Sequence, residues 1–350
     1  MKKYVNIYIF VIVILAIIIV VGCTAYNIGI SPVSKESKEV IFEVSENSSY
    51  LSIAPQLKEN NLIRSETFYK IYIKIFSPSN LEKGTYTLNQ NMSVKEIVNT
   101  LEKGTTAETL SFVIPEGKHI TDVATYISEV TDYTSDELLS YWQSEGLLDT
   151  LINKYWFITD EVKNDNLRYS LEGYFFPATY EIFKDSSMQE ITYKMLDKMD
   201  EILSKYKTEI ENSNYSVHEL LTLASIVEHE AILDEDRPMI AQVFYNRLNI
   251  NMPLQSCATL GYALNEWKLT YTLADQEVDS PYNTYKYTGL PIGPGGVPGE
   301  ASIKAVIYPE TNNYLYFLAD VYDSSATKTY YSETYKEHQQ KCLEYLGYAC

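Results

Sequence analysis

Residues 216–231 read SVHELLTLASIVEHEA, and this stretch organises the larger part of the chain. Ser216 with Glu219 three residues later forms a capping box, in which each side chain satisfies a backbone N–H left unpaired by the first turn. Behind it Val217, Leu220, Leu221, Ala224, Val227 and Ala231 recur at spacings of three and four, which predicts a helix of about four turns with one apolar stripe. Glu228 lies four residues after Ala224 and three before Ala231, so it projects from that stripe, whereas His218, Thr222, Ser225 and His229 fall on the polar side. A carboxyl among apolar side chains is costly to ionise, and desolvation raises its pKa toward the value a general acid needs at neutral pH. Glu228 is thus the catalytic candidate. The alternative is that it pairs with Arg237 or Arg247 and ties two helices together. His229-Glu230 opens like a zinc-binding HExxH, but Leu233 stands where the second histidine is needed. His229 then reads as a solvated helix residue.

Working outward, segment 40–104 carries an alternating stretch at Val40–Val44, helical patterns at 49–60 and 65–76, and a turn at Lys83-Gly84. A strand at 85–88 and a short helix from Ser93, capped by Glu96, complete a small α+β unit. A second strand signal at Leu110–Ile114, before Pro115-Glu116-Gly117, opens a larger region with long helical patterns at 119–145 and 187–206. The boundary is placed near Thr105. The glycine-rich TGLPIGPGGVPG at 288–299 lacks the lysine of a phosphate cradle and reads as a shaped loop.

The chain has 350 residues, enough for two domains at roughly 100–200 residues each. Its formal charge of -19 argues against a nucleic-acid partner, which needs clustered cations to displace counterions. Lys2 and Lys3 precede an apolar run from Tyr4 to Val21 that would span about 27 Å as a helix. With the next cation only at Lys35, a cytoplasmic N-terminus and an extracytoplasmic remainder are expected, as a single-pass protein of the cell membrane. Cleavage as a signal peptide is the alternative, and Val20-Val21-Gly22-Cys23 resembles a lipobox, which would leave the protein tethered through Cys23. The resulting division is an anchor at 1–25, a linker at 26–39, a small module at 40–104 and a large domain at 105–350. Four cysteines are too few for a disulfide scaffold; a Cys342–Cys350 pair and free thiols are both open.

LASIVEHEA at 223–231 resembles the signature helix of the YceG-like endolytic murein transglycosylases. The similarity continues upstream in SLEGYFFP at 170–177. Downstream it runs through Arg237, AQVFYNRL at 241–248, LQS at 254–256, YNTY at 282–285, TGLP at 288–291 and YLYFLAD at 314–320. It implies an α+β fold, with the membrane anchor followed by a LysM-like α+β module over 40–104 and a YceG-like catalytic domain. The implied activity is cleavage of the β-1,4 bond between N-acetylmuramic acid and N-acetylglucosamine in nascent peptidoglycan, leaving 1,6-anhydro ends without metal or organic cofactor. Peptidoglycan strands, the membrane and peptidoglycan synthases are the implied partners. By the same resemblance Glu228 matches the catalytic glutamate, and Gln255, Asn283, Tyr285 and Glu172 match positions that would bind substrate, with loop-to-helix hydrogen bonding as the competing role. The chain departs from the family pattern at Cys257-Ala258 and Ala178, where an acidic residue is usual, in the glycine loop at Ile292, Gly295, Gly296 and Val297, and at Thr329, where a histidine is usual. These departures leave a second reading open, a glycan-binding scaffold that no longer cuts.

Overall fold

The computed structural model describes residues 14, 17, 19–78, 81–104, 109–268, 270–319 and 328–347. Most of the apolar run Tyr4–Val21, which carries the anchor, lies outside them, as does Cys350 of the proposed Cys342–Cys350 pair. Among the described residues no helix is long and apolar enough to cross a membrane. The chain forms two compact units, Met1–Thr109 and Leu110–Cys350.

In the first unit β1 (Glu39–Val44) pairs antiparallel with β2 (Gly84–Asn89), in a register running from Glu39↔Asn89 to Val44↔Gly84. Alternation along β1 turns Phe42 and Val44 inward. Between the strands lie α1 (Ala54–Glu59), with proline in its first turn, and α2 (Glu66–Phe76), whose cap Ser65 accepts a hydrogen bond from the Phe68 N–H. After β2 comes α3 (Val94–Glu102), with the Ser93–Glu96 capping box in place. Leu57, Tyr69, Tyr86, Leu88, Ile97 and Leu101 fill the core between them. Residues 26–39, expected to be a linker, are pinned to this unit. Helix persists over 19–29, Tyr26 packs edge-on against Phe68 at 6.1 Å, and Arg64 donates to the carbonyls of Pro32 and Val33 at 2.8 and 3.1 Å.

The second unit opens with β3 (Thr109–Val113), which forms a two-stranded sheet with β4 (Thr179–Phe183). Between them the single long pattern read over 119–145 is divided into α4 (Ile120–Ser128) and α5 (Ser135–Trp142), because Thr134 starts a new helix through its own capping box with Glu137. Next come α6 (Glu145–Lys154) and, after β4, α7 (Met188–Ser204), capped by Ser187 and Glu190. The helix predicted from residues 216–231 is α8 (Val217–Glu230). It is followed by α9 (Arg237–Asn249), α10 (Cys257–Leu264) and α11 (Glu300–Ile307). The chain then makes an antiparallel hairpin of β5 (Tyr316–Ala319) and β6 (Thr329–Ser332), followed by α12 (Tyr335–Lys341).

Every residue of α8 from Leu220 to Val227 is buried, so the helix is enclosed on all sides, with α9, α10 and α11 packed on it. Burying side chains such as Leu221, Leu223 and Val227 contributes about 1.5–3 kcal/mol each. The expected polar stripe is inside as well: His218, Thr222 and Ser225 are hydrogen-bonded, while His229 Nε2 is buried without a partner. His218 bridges the Tyr174 hydroxyl and the Ile292 carbonyl, both at 2.9 Å, and Ser225 Oγ accepts the Gly295 N–H at 3.1 Å. These bonds dock the glycine-rich loop on α8. The loop also closes over the EGYFFP segment at Gly173, whose φ of +79° and clearance (an added Cβ would lie 2.4 Å from Pro294) both demand glycine.

Candidate active site

A cleft of about 520 Å³ opens beside the last turn of α8, and Glu230, the final residue of that helix, lines it. The chain leaves the helix at Ala231 in an extended conformation, which points the last side chain toward the start of α10. There Ser256 Oγ donates to Glu230 Oε1 at 2.6 Å, and the Cys257 and Ala258 N–H groups also point at the carboxyl. Burial pushes the Glu230 pKa up, and these donors, with the Arg247 charge, only partly offset it. The Arg247 guanidinium is committed to backbone carbonyls, Leu315 at 2.6 Å and Leu254 at 2.7 Å, and lies 5.3 Å over the Tyr316 ring. The cleft is also lined by Tyr285, Tyr316, Phe317 and Tyr335, with His338 stacked on Tyr316 at 5.3 Å. A carboxyl held toward its protonated form beside flat aromatic faces can deliver a proton to a bound sugar's glycosidic oxygen.

The other candidate residues separate into those that face this cleft and those that do not. Gln255 lines it with an exposed side chain on a left-handed backbone (φ 50°), its own N–H donated to the Thr284 carbonyl at 3.0 Å. Tyr285 lines it too, its hydroxyl 3.2 Å from Cys257 Sγ. Asn283 does not: it is buried, its amide donates to the Gln276 and Val278 carbonyls at 2.8 Å each, and its oxygen accepts the Tyr285 N–H at 3.0 Å. Asn283 therefore fastens the loop that presents Tyr285. Glu172 is buried away from the cleft, accepting the Ile120 N–H at 2.9 Å and the Tyr262 hydroxyl at 3.0 Å, and burial raises its pKa to about 8.

Glu228 is sealed. Its Oε1 pairs with Arg237 Nη2 at 3.1 Å, its Oε2 accepts the Gly299 N–H at 2.8 Å, and the two side chains are only 6% and 8% exposed. Arg237 is held further by Asp234 at 2.9 Å and Ser302 at 2.6 Å. The helix-tying alternative describes this residue, and the carboxyl in the cleft is its neighbour two positions on. Sequence reasoning passed over Glu230 because it lies off the apolar stripe; the available signal was its place at the helix end, ahead of LQS. His229 is also not solvated. It packs 4.9 Å from Trp267, beside a second cleft lined by His119 and Asp122. Among the described residues no group of three or more His, Cys, Asp or Glu is placed to hold a metal ion.

The YceG-like family model matches residues 42–344. An endolytic murein transglycosylase from Bacillus subtilis is 36% identical over 91% of this chain and 88% of its own length. The chain belongs to the YceG-like family. An endolytic murein transglycosylase from Streptococcus pneumoniae serotype 2 is 34% identical over 90% of the chain, which spans 60% of that longer relative. The crystal structure of a YceG-like protein from Listeria monocytogenes superposes with a TM-score of 0.62 at 37% identity, covering 87% of this chain and all of that one. Within this YceG-like fold three of the departures from the common motifs are placed as follows. Cys257 starts α10 beside the acid, the Ala178 carbonyl accepts the Ile114 N–H at 2.9 Å, and Thr329 Oγ1 donates to Asp236 at 2.7 Å, fastening β6 ahead of α9.

Proposed function

We propose that this YceG-like protein is an endolytic lytic transglycosylase of peptidoglycan in which Glu230 is the general acid and base. The observation that carries the reading is a carboxyl with a burial-raised pKa in an open, aromatic-lined cleft. Protonated Glu230 gives its proton to the glycosidic oxygen as the bond from C1 of N-acetylmuramic acid breaks and positive charge develops on the sugar ring. The carboxylate then removes the proton from the muramyl C6 hydroxyl, whose oxygen bonds to C1 and closes the 1,6-anhydro ring. Glu230 ends protonated, as it began, and no water is consumed. A second carboxylate, which a hydrolase needs to activate water or to attack C1, is not required. Gln255 is placed to hydrogen-bond a hydroxyl or N-acetyl group, and Tyr285 to stack on a sugar.

The same reading assigns the apolar run Tyr4–Val21 to a membrane anchor with both units on the extracytoplasmic side, and residues 40–104 to a LysM-like module that holds glycan. Nearby peptidoglycan synthases would supply nascent strands. Mass analysis of uncrosslinked strands incubated with the full chain tests the chemistry: anhydro-ended fragments are expected. Reducing ends would make the protein a hydrolase, and intact strands a scaffold.

A further inference from the structure

Resting on that reading of the Glu230 cleft, we propose that Trp267 and its neighbours form a second, distal saccharide site, which takes a pyranose ring of the same glycan strand. A cleft of about 430 Å³ is lined by Gly117, Lys118, His119, Asp122, His229 and Trp267. Trp267 is 51% exposed, yet it is fixed in place. Its ring rests on α10, where a Cβ added at Gly261 would lie 3.4 Å away, and its Nε1 donates to His119 Nε2 at 3.1 Å. His119 is in turn packed between Trp267 and Tyr262, with centroids 5.9 and 5.2 Å away. A rigid indole face loses little entropy on binding, and the C–H face of a pyranose is its natural complement.

Polar groups stand around this platform as a sugar's hydroxyl rim requires. Asp122 spends Oδ2 on the His119 N–H at 3.1 Å and retains Oδ1 as an acceptor, and Lys118 contributes a donor. Burial holds the His119 and His229 pKa values low, which disfavours a positive charge beside the indole.

The helix α10 joins this site to the acid. Cys257 opens α10 in the Glu230 cleft, and Trp267 follows three residues after Leu264 closes it. Eight residues at about 1.5 Å each place the two ends roughly 12 Å apart, the length of a short run of sugars. A strand engaging both clefts is held through rings that do not react, and that remote binding energy positions an internal bond at Glu230.

The test uses the full chain. In a Glu230→Gln background, which binds without cutting, uncrosslinked glycan strands should give a saturable change in tryptophan emission that Trp267→Phe removes; Trp142 is fully buried, and Trp156 is tied to Asp200 at 2.7 Å. In the active chain Trp267→Ala should lower the ratio of kcat/KM for long strands to that for short fragments by about threefold to tenfold, with Trp267→Phe retaining most of it. An equal loss on long and short substrates, or strands that bind without changing Trp267 emission, overturns the distal site and leaves Glu230 as the acid. Failure of the wild type to cut counts against the acid instead, and the emission titration still decides Trp267.

Discussion

Glu228 and Glu230 leave the same helix two residues apart and meet opposite surroundings. Glu228 is nearly enclosed, with Arg237 on one carboxyl oxygen and the Gly299 N–H on the other, and it lines none of the clefts described above. Glu230 faces the 520 Å³ cleft, where its donors are a serine hydroxyl and backbone N–H groups, and Arg247 adds its charge without an ion pair. Both are enclosed enough for desolvation to matter. What differs is the compensation: a direct ion pair fixes one carboxyl as structure, and incomplete compensation beside open space leaves the other able to exchange a proton. Burial alone therefore does not mark an acid.

The largest expected effect is on Glu230. Glu230→Gln keeps size and most hydrogen bonds but has no proton to give, so anhydro-end formation should fall by at least ~10²–10⁴-fold, with the melting transition little changed. Glu228→Gln should do the reverse. Removing its charge leaves the buried Arg237 guanidinium with Asp234 as its ion-pair partner and should lower stability by about 1.5–3 kcal/mol, read by denaturant unfolding, while turnover per folded molecule changes modestly. Replacing both members by apolar residues, Glu228→Leu with Arg237→Met, should restore most of that loss. A folded Glu228→Gln chain that no longer cuts would reverse the assignment.

The fold was largely legible, because its signals are local. Ser93 with Glu96 and Ser216 with Glu219 mark helix starts through bonds within one turn, and the structure contains both boxes. The same physics explains the helix break at Thr134, a capping box hidden inside what read as a continuous pattern. The proposed acid lies within one turn of the carboxyl that the sequence singled out. Periodicity identifies a face only where the other face is wet, and α8 is buried all round, so the stripe had no power to choose between Glu228 and Glu230. At Asn283 the sequence left two roles open, substrate contact and hydrogen bonding within the loop. A motif position reveals that an amide is used, not by what, and here its donors go to the Gln276 and Val278 carbonyls.

Glu172 sharpens the comparison, because it is sealed like Glu228 but has no cation. Its folded pKa of about 8, against 4.5 for a free side chain, means that the folded state holds this proton more tightly. The contribution to stability is therefore complete below pH about 4.5 and is lost as pH rises through about 8. Glu172→Gln should flatten that decline. Unfolding measurements across this window should show the variant gaining on the wild type by on the order of 5 kcal/mol at the alkaline end. Parallel stability curves would mean that the Ile120 N–H and the Tyr262 hydroxyl compensate the buried carboxyl after all.

The smallest expected effect lies at Gln255 and asks whether the cleft side of the comparison carries strain for function. Its φ of 50° is a conformation in which a side chain with a Cβ costs about 1–2 kcal/mol, and the Thr284 carbonyl holds the Gln255 N–H in that geometry at 3.0 Å. Gln255→Gly relieves the crowding but frees the unfolded chain, which offsets about half the gain. The expected net is a stabilisation of no more than about 1 kcal/mol, a small rise in melting temperature. The exposed amide is lost at the same time, so KM for glycan should rise several-fold, about the worth of one hydrogen bond, while kcat changes less. A residue kept only for the turn would show the stability gain with KM unchanged. A rise in KM together with the gain identifies Gln255 as a strained contact maintained for the substrate.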